Sequence, residues 1–395
     1  MKTLEVIAQR AVLAAKLMAV AGSGRKNAAL LAAAKQLEAR ADELETARRV
    51  DEAEARDAGL PPSRADAGLA ARLTKELTRL AAAPEPVGAV LSGIRLEDGL
   101  LVETVRAPLG PVGVLAGADP VFLVRAAALT VKAGNAGLCG GNAAIGRTQA
   151  VLMDVMRQGL LSAGLPADAL QAVSPEEATV LPRLTVLKKV LIAGEAAADA
   201  VAGPVSRTLV ERPVDHLYAA ADADPETVVN LTVNACTACP DGLSLHTLLL
   251  HRSLAESVLA PLQKQLAAAH VALCGDGELC GLVEAEAVQN WRAPAEGRLC
   301  VRLVESLNEA LALISVFGSG HAAGILTGDY AAIQRFTAAV DAAVIAVNAA
   351  PAFGDGDRLG EPVCLGLSAG AERGPVGLLA LTTLKRIVTG NGQTR

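Results

Sequence analysis

The chain has 395 residues, enough for two or three domains that each bury a core of their own. With 52% hydrophobic and 20% charged residues it is a globular chain and not a disordered one. Aromatics at 2% and a net charge of −6 exclude the stacking platforms and the basic footprint of a nucleic-acid binder.

At the N-terminus, Glu5, Gln9, Arg10 and Lys16 interrupt the apolar run, so the segment reads as an amphipathic helix and not as a signal peptide. No stretch reaches the roughly 18 uninterrupted apolar residues of a membrane span. The expected compartment is the cytoplasm. Seven cysteines, an odd number in a long chain without a signal peptide, read as free thiols and not as a disulfide framework.

Residues 1–58 read as helix, with Leu30, Leu31, Ala34, Leu37, Ala41 and Leu44 at helical spacing and a stop at Gly59-Leu60-Pro61-Pro62. A further helix is predicted over 67–83, before Pro84 and Pro86. Residues 87–108 read as a β-hairpin, because Asp98-Gly99 supplies the positive-φ residues of a tight turn. Strand and helix then alternate: strands at 112–115, 136–138, 170–173 and 189–193, helices at 120–132, 143–161 and 195–201. That alternation is the signature of βαβ units and a parallel sheet, with the ligand crevice outside the carboxyl ends of the strands. A second α/β block begins near Val233, with strands at 247–251, 301–303, 323–327 and 343–347 and helices at 255–269, 307–316 and 331–340. The tail from Pro351 is rich in Gly and Pro and ends in a helical or extended run over 377–388.

Several segments, in order along nearly the whole chain, carry a resemblance. They are Arg25-Lys26-Asn27, Ala107-Pro108-Leu109-Gly110-Pro111-Val112-Gly113-Val114, Lys132-Ala133-Gly134-Asn135-Ala136 with Gly140-Gly141, and Gly164-Leu165-Pro166. Val233-Asn234-Ala235, Ile325-Leu326-Thr327-Gly328-Asp329 and Val347-Asn348-Ala349 follow. Arg373-Gly374-Pro375-Val376-Gly377-Leu378 and Ala380-Leu381-Thr382-Thr383-Leu384-Lys385 close the series. Together they resemble the γ-glutamyl phosphate reductases of the aldehyde dehydrogenase superfamily, which act in proline synthesis from glutamate.

The resemblance implies an α/β protein of the aldehyde dehydrogenase-like fold. A Rossmann-like cofactor domain with the N-terminal helices would span 1–232, with an oligomerisation hairpin at about 87–108. A catalytic α/β domain would span 233–350, and a C-terminal segment, 351–395, would return to the cofactor domain and the oligomer interface. The implied reaction is NADPH-dependent reduction of γ-glutamyl phosphate to glutamate 5-semialdehyde through a cysteine thioester, by a homodimer or homotetramer. On this sequence the cofactor would meet Gly140, Gly141, Asn142 and Gly194, the substrate Asn234 and Asn348, and the nucleophile would be Cys239.

Some positions depart from the family pattern. The family cysteine falls on Gly242 or Leu243, and Cys239 lies three or four residues earlier. The family lysine after the Gly-Gly pair is Asn142, and the family arginine before Pro120 is lost in Ala116-Gly117-Ala118-Asp119. Arg125, one turn further on, either compensates or is a solvated helix charge. Cys236-x-x-Cys239 has no second pair at matching spacing, so no metal is expected. A second reading therefore stands beside the reductase: a catalytically silent homologue kept as a binding or regulatory partner, of a glutamate kinase or an active paralogue.

Overall fold

A computed structural model describes residues 2–197, 199–210, 214–237, 245–292, 297–350, 359–361, 363–370 and 373–394. The chain divides into two compact units. The first is Met1–Glu211 with Gly360–Gly366 and Val376–Arg395; the second is Arg212–Leu359 with Leu367–Pro375. The boundary thus falls at Glu211 and not at 232. The tail is shared between both units instead of returning wholly to the first.

The first unit opens with α1 (Lys2–Ala19), α2 (Ser23–Ala39), α3 (Ala41–Asp57) and α4 (Leu69–Ala82). The single helical run expected over 1–58 is three helices, parted before Ser23 and at Arg40, whose N–H closes on the Gln36 carbonyl. Gly59, at φ +64°, ends α3 in the left-handed conformation that a Cβ would strain, and Leu60 N–H reaches back to the Ala55 carbonyl. In α4, Leu69, Leu73, Leu77 and Leu80 form a fully buried stripe.

Strands β1 (Val90–Arg95) and β2 (Leu101–Pro108) form the hairpin around Asp98-Gly99. Strand β3 (Pro111–Leu115) leads into α5 (Pro120–Lys132), β4 (Ala136–Gly140), α6 (Gly146–Ser162) and β5 (Leu170–Ala172). After the short α7 (Pro175–Thr179) come β6 (Lys189–Ala193) and β7 (Arg207–Val210). The helix expected over 195–201 is a 3-10 turn at Gly194–Ala196; seven residues repay the cost of helix nucleation poorly. The sheet is parallel, in the order β5-β4-β3-β6-β7. Its three inner strands, β4, β3 and β6, are buried from end to end, and α5 is buried on nearly every face.

The second unit holds β8 (His216–Ala219), α8 (Pro225–Thr237), β9 (Thr247–His251), α9 (Ala255–Ala268), β10 (Ala272–Gly275), α10 (Gly277–Cys280) and β11 (Glu286–Ala287). It continues with β12 (Arg298–Val304), α11 (Leu307–Phe317), β13 (Ala322–Leu326), α12 (Tyr330–Ala339) and β14 (Val344–Val347). These strands make one parallel sheet, β11-β10-β12-β9-β8-β13-β14. Strands β15 (Leu367–Ala369) and β16 (Arg373–Pro375) pair antiparallel in the same unit. The last strand, β17 (Thr382–Thr389), belongs to the first unit and pairs antiparallel with β2, so the run over 377–388 ends extended.

Candidate functional site

In the first unit β3 is central, β4 and β5 lie to one side of it, and β6 and β7 to the other. The order therefore reverses between β3 and β6, where open parallel sheets place their ligand crevice. All four sequence-derived cofactor residues come to this carboxyl edge: Gly140 at the end of β4, Gly141 and Asn142 after it, and Gly194 after β6. Their local contacts are structural. Gly141 N–H donates to Gln149 Oε1 at 2.6 Å. Asn142 N–H donates to the Gly117 carbonyl at 2.8 Å, while its Oδ1 accepts from Ala144 N–H at 3.0 Å. A Cβ on Gly140 would lie 2.7 Å from Ala178 Cβ and 2.8 Å from Val173 Cγ2, so close packing within this unit requires the glycine.

The two helix N-termini at this edge are already capped. Asp119 Oδ1 accepts from Val121 N–H and Phe122 N–H, both at 2.9 Å, at the start of α5. Asp51, a buried residue of α3, accepts from Arg147 N–H at 3.0 Å and from Thr148 N–H at 2.7 Å at the start of α6. A helix N-terminus is a ready anion site only while its amides are unpaired; here carboxylates of the chain take them. Arg125 is neither spare nor solvated: its guanidinium pairs with both oxygens of Glu76 at 2.6 and 2.5 Å, half-buried. Gly140, Gly141, Asn142 and Gly194, the residues the resemblance assigns to a nicotinamide dinucleotide, border this sheet edge. The α5 and α6 N-termini do not fit the phosphates of such a dinucleotide.

In the second unit the corresponding reversal lies between β8 and β13. At the carboxyl ends there, Asn348 has φ +50°, a conformation asparagine tolerates, and uses both ends of its amide. Its Oδ1 accepts from Thr327 N–H and its Nδ2 donates to the Thr327 carbonyl, each at 3.0 Å. Thr327 Oγ1 donates to Asp222 at 2.7 Å, and Gly328 N–H donates to the same carboxylate at 2.7 Å. Burial acts to raise Asp222, but these donors outweigh it and hold the carboxyl below its usual range. Asn234 lies exposed on the last turns of α8, whereas Cys236 is buried and its thiol is pushed up to about 12 by that burial. Cys239, with Gly242 and Leu243, lies outside the described residues.

Sequence reasoning passed over Asp51, Asp222 and Thr327. For Asp119 a signal existed, since Asp followed by Pro at the first helical position marks a helix start. For Asp51 there was none, because its partners are 96 and 97 residues away. Among the described residues no cluster of His, Cys, Asp and Glu has the geometry to hold a metal ion, and no helix is long and apolar enough to cross a membrane.

No family model matches this sequence. Individual proteins do. A γ-glutamyl phosphate reductase of Rhodospirillum rubrum is 35% identical over 98% of this chain and 96% of its own length. One of Clavibacter michiganensis is 36% identical over 99% and 95%. Among solved structures, the γ-glutamyl phosphate reductase of Thermotoga maritima superposes with a TM-score of 0.87 at 25% identity, covering 99% of each chain. An acetylating aldehyde dehydrogenase from Geobacillus thermoglucosidasius, 17% identical, shares the fold with a TM-score of 0.70 over 100% of this chain and 98% of its own.

Proposed function

The chain belongs to the γ-glutamyl phosphate reductase family, and on that premise we propose that it reduces γ-glutamyl phosphate to glutamate 5-semialdehyde with NADPH. What carries the reading is identity of 35–36% with reductases of that name over at least 98% of the chain. In this proposal the Cys239 thiolate attacks the γ-carbonyl carbon, a C–S bond forms, and the C–O bond to phosphate breaks. The nicotinamide supplies the hydride that turns the thioester into the aldehyde and returns the thiolate. In the same proposal Asn234, exposed on α8, hydrogen-bonds the substrate. Asn348 acts through Thr327, fixing the β13 turn. The reading places the protein in the cytoplasm, as a homo-oligomer joined through the exposed β1-β2-β17 sheet.

A second reading is favoured by a specific observation: carboxylates seal the N-termini of α5 and α6, and an uncharged Asn142 stands beside them. That edge suits a silent homologue, kept for its surfaces, better than a phosphate-binding one. Titration calorimetry of the full chain with NADPH and NADH, run beside a turnover assay with Cys239→Ala, separates the two. Saturable binding with turnover abolished by the substitution is the expected result. Turnover that survives Cys239→Ala overturns the thioester assignment, and absence of both binding and turnover leaves the silent homologue.

A further inference from the structure

Cysteines Cys274 and Cys300 lie on neighbouring parallel strands, β10 and β12, in direct register. Their side chains point to the same face of the sheet, because in-register residues of adjacent strands share a face. The two Sγ atoms are 2.6 Å apart, and both residues are buried. Residues paired across neighbouring strands place their Cα atoms within the span that a disulfide bridges. Of the other described cysteines, Cys139 and Cys236 are packed in separate cores, Cys280 is exposed and Cys364 is partly buried in the first unit.

The pair is also asymmetric. Cys274 faces the edge of the sheet, since only the two-residue β11 lies beyond β10, whereas Cys300 sits one strand further in and is fully enclosed. The contact with Cys300, with some help from Arg298, holds Cys274 below the usual thiol range against the effect of burial. Cys300 is raised correspondingly by the same contact and by burial. Arg298 has its Nη2 on Glu286 at 2.8 Å, and its buried Nε has no partner among the described residues. The outer thiol is therefore the one that a small oxidant meets first, and the inner thiol is placed to resolve whatever forms on it.

We propose that Cys274 and Cys300 are a peroxide-oxidised dithiol that closes to a reversible cross-strand disulfide in the second unit. The Cys274 thiolate attacks one oxygen of hydrogen peroxide, the O–O bond breaks, and hydroxide leaves to take a proton as water. The sulfenic acid so formed is attacked by the Cys300 sulfur, the S–S bond forms, and the sulfenic oxygen leaves with the Cys300 proton as a second water. Two thiols are oxidised and one peroxide is reduced. Peroxide is the oxidant class because it is small enough to reach a side chain 4% exposed. A dithiol reductant reverses the change. None of the residues proposed for acyl-phosphate reduction takes part.

The test uses the reduced full-length protein, treated with a small excess of hydrogen peroxide, alkylated under denaturing conditions and mapped by peptide mass spectrometry. The expected product has lost the mass of two hydrogens and yields a linked peptide joining Cys274 to Cys300. Dithiothreitol restores both alkylated peptides, while Cys280 stays singly alkylated throughout. A Cys300→Ala variant should lose the reversible product and carry Cys274 through to sulfinic acid. Recovery of both cysteines as separately alkylated peptides after peroxide has already oxidised Cys280 overturns the proposal. That reading comes from the wild-type chain and does not depend on the variant folding.

Discussion

At the first turn of α6, two backbone amides and one buried carboxylate settle how α3 and α6 are joined. Asp51 is 2% exposed and satisfies the Arg147 and Thr148 amides at once. Truncation removes both acceptors and leaves two orphan donors, so Asp51→Ala should destabilise the first unit by about 2 kcal/mol. Asp51→Asn keeps one oxygen and should cost less. Urea midpoints of the two variants check the order, and equal midpoints for Asp51→Ala and wild type would remove the cap from the account. This contact also marks how far single residues were legible. Asp119-Pro120 announces a helix start locally, and Asn348 as a turn-former is readable from its side chain. Asp51 joins residues 96 and 97 positions apart, and no local pattern carries that. The tertiary fold alone shows that Asn348 ties both ends of its amide to Thr327.

Among the elements, the hairpin and the last strand form a sheet with its own logic. Ile94 of β1, Val102 of β2 and Val388 of β17 are cross-strand neighbours in one row, and Ile94 and Val388 are 62% and 60% exposed. An apolar row on a sheet whose outer strands are both edges calls for a partner surface. If it joins copies of this chain, Ile94→Lys with Val388→Lys should lower the mass measured by light scattering while the circular dichroism spectrum stays unchanged. An unchanged mass for the folded double variant would remove this sheet from the interface. The hairpin was readable because Asp98-Gly99 fixes the turn chemically. Strands β8 and β10 were not, because each is four residues long and shows no alternation to set it apart from a buried helix segment. The boundary error follows from β8: once His216–Ala219 is a strand of the second sheet, that unit must begin before it.

For the whole molecule, the alternation of strand and helix predicts two parallel sheets, and both are present. The threading of 367–375 into one unit between two segments of the other is not readable from a Gly- and Pro-rich tail. Nor is the buried polar group at the amino ends of β8, β9 and β13, which sets how stability varies with pH. Burial pushes Asp215 up to about 8, against the Ala322 N–H that its Oδ1 accepts at 2.9 Å. Burial lowers the neighbouring His216 to about 4, opposed by the Val214 carbonyl and reinforced by His246. Folded Asp215 stays neutral where the unfolded residue is ionised, so its contribution is complete below the unfolded value near 4 and is lost as pH rises to 8. Folded His216 stays neutral where the unfolded residue is charged, so its contribution is complete above about 6.5 and is lost as pH falls toward 4. Between pH 4 and 6.5 the two slopes oppose and nearly cancel. Between 6.5 and 8 Asp215 acts alone, and at about 1.4 kcal/mol per pH unit the second unit should lose about 2 kcal/mol. Trp291, the only tryptophan, lies in that unit against Phe317 and Arg302, so its fluorescence reports the unfolding directly. Urea titrations at pH 6.5 and 8 should show the fall in wild type and its disappearance in Asp215→Asn, which cannot ionise. A fall that persists in the variant would place the titrating group elsewhere in the fold.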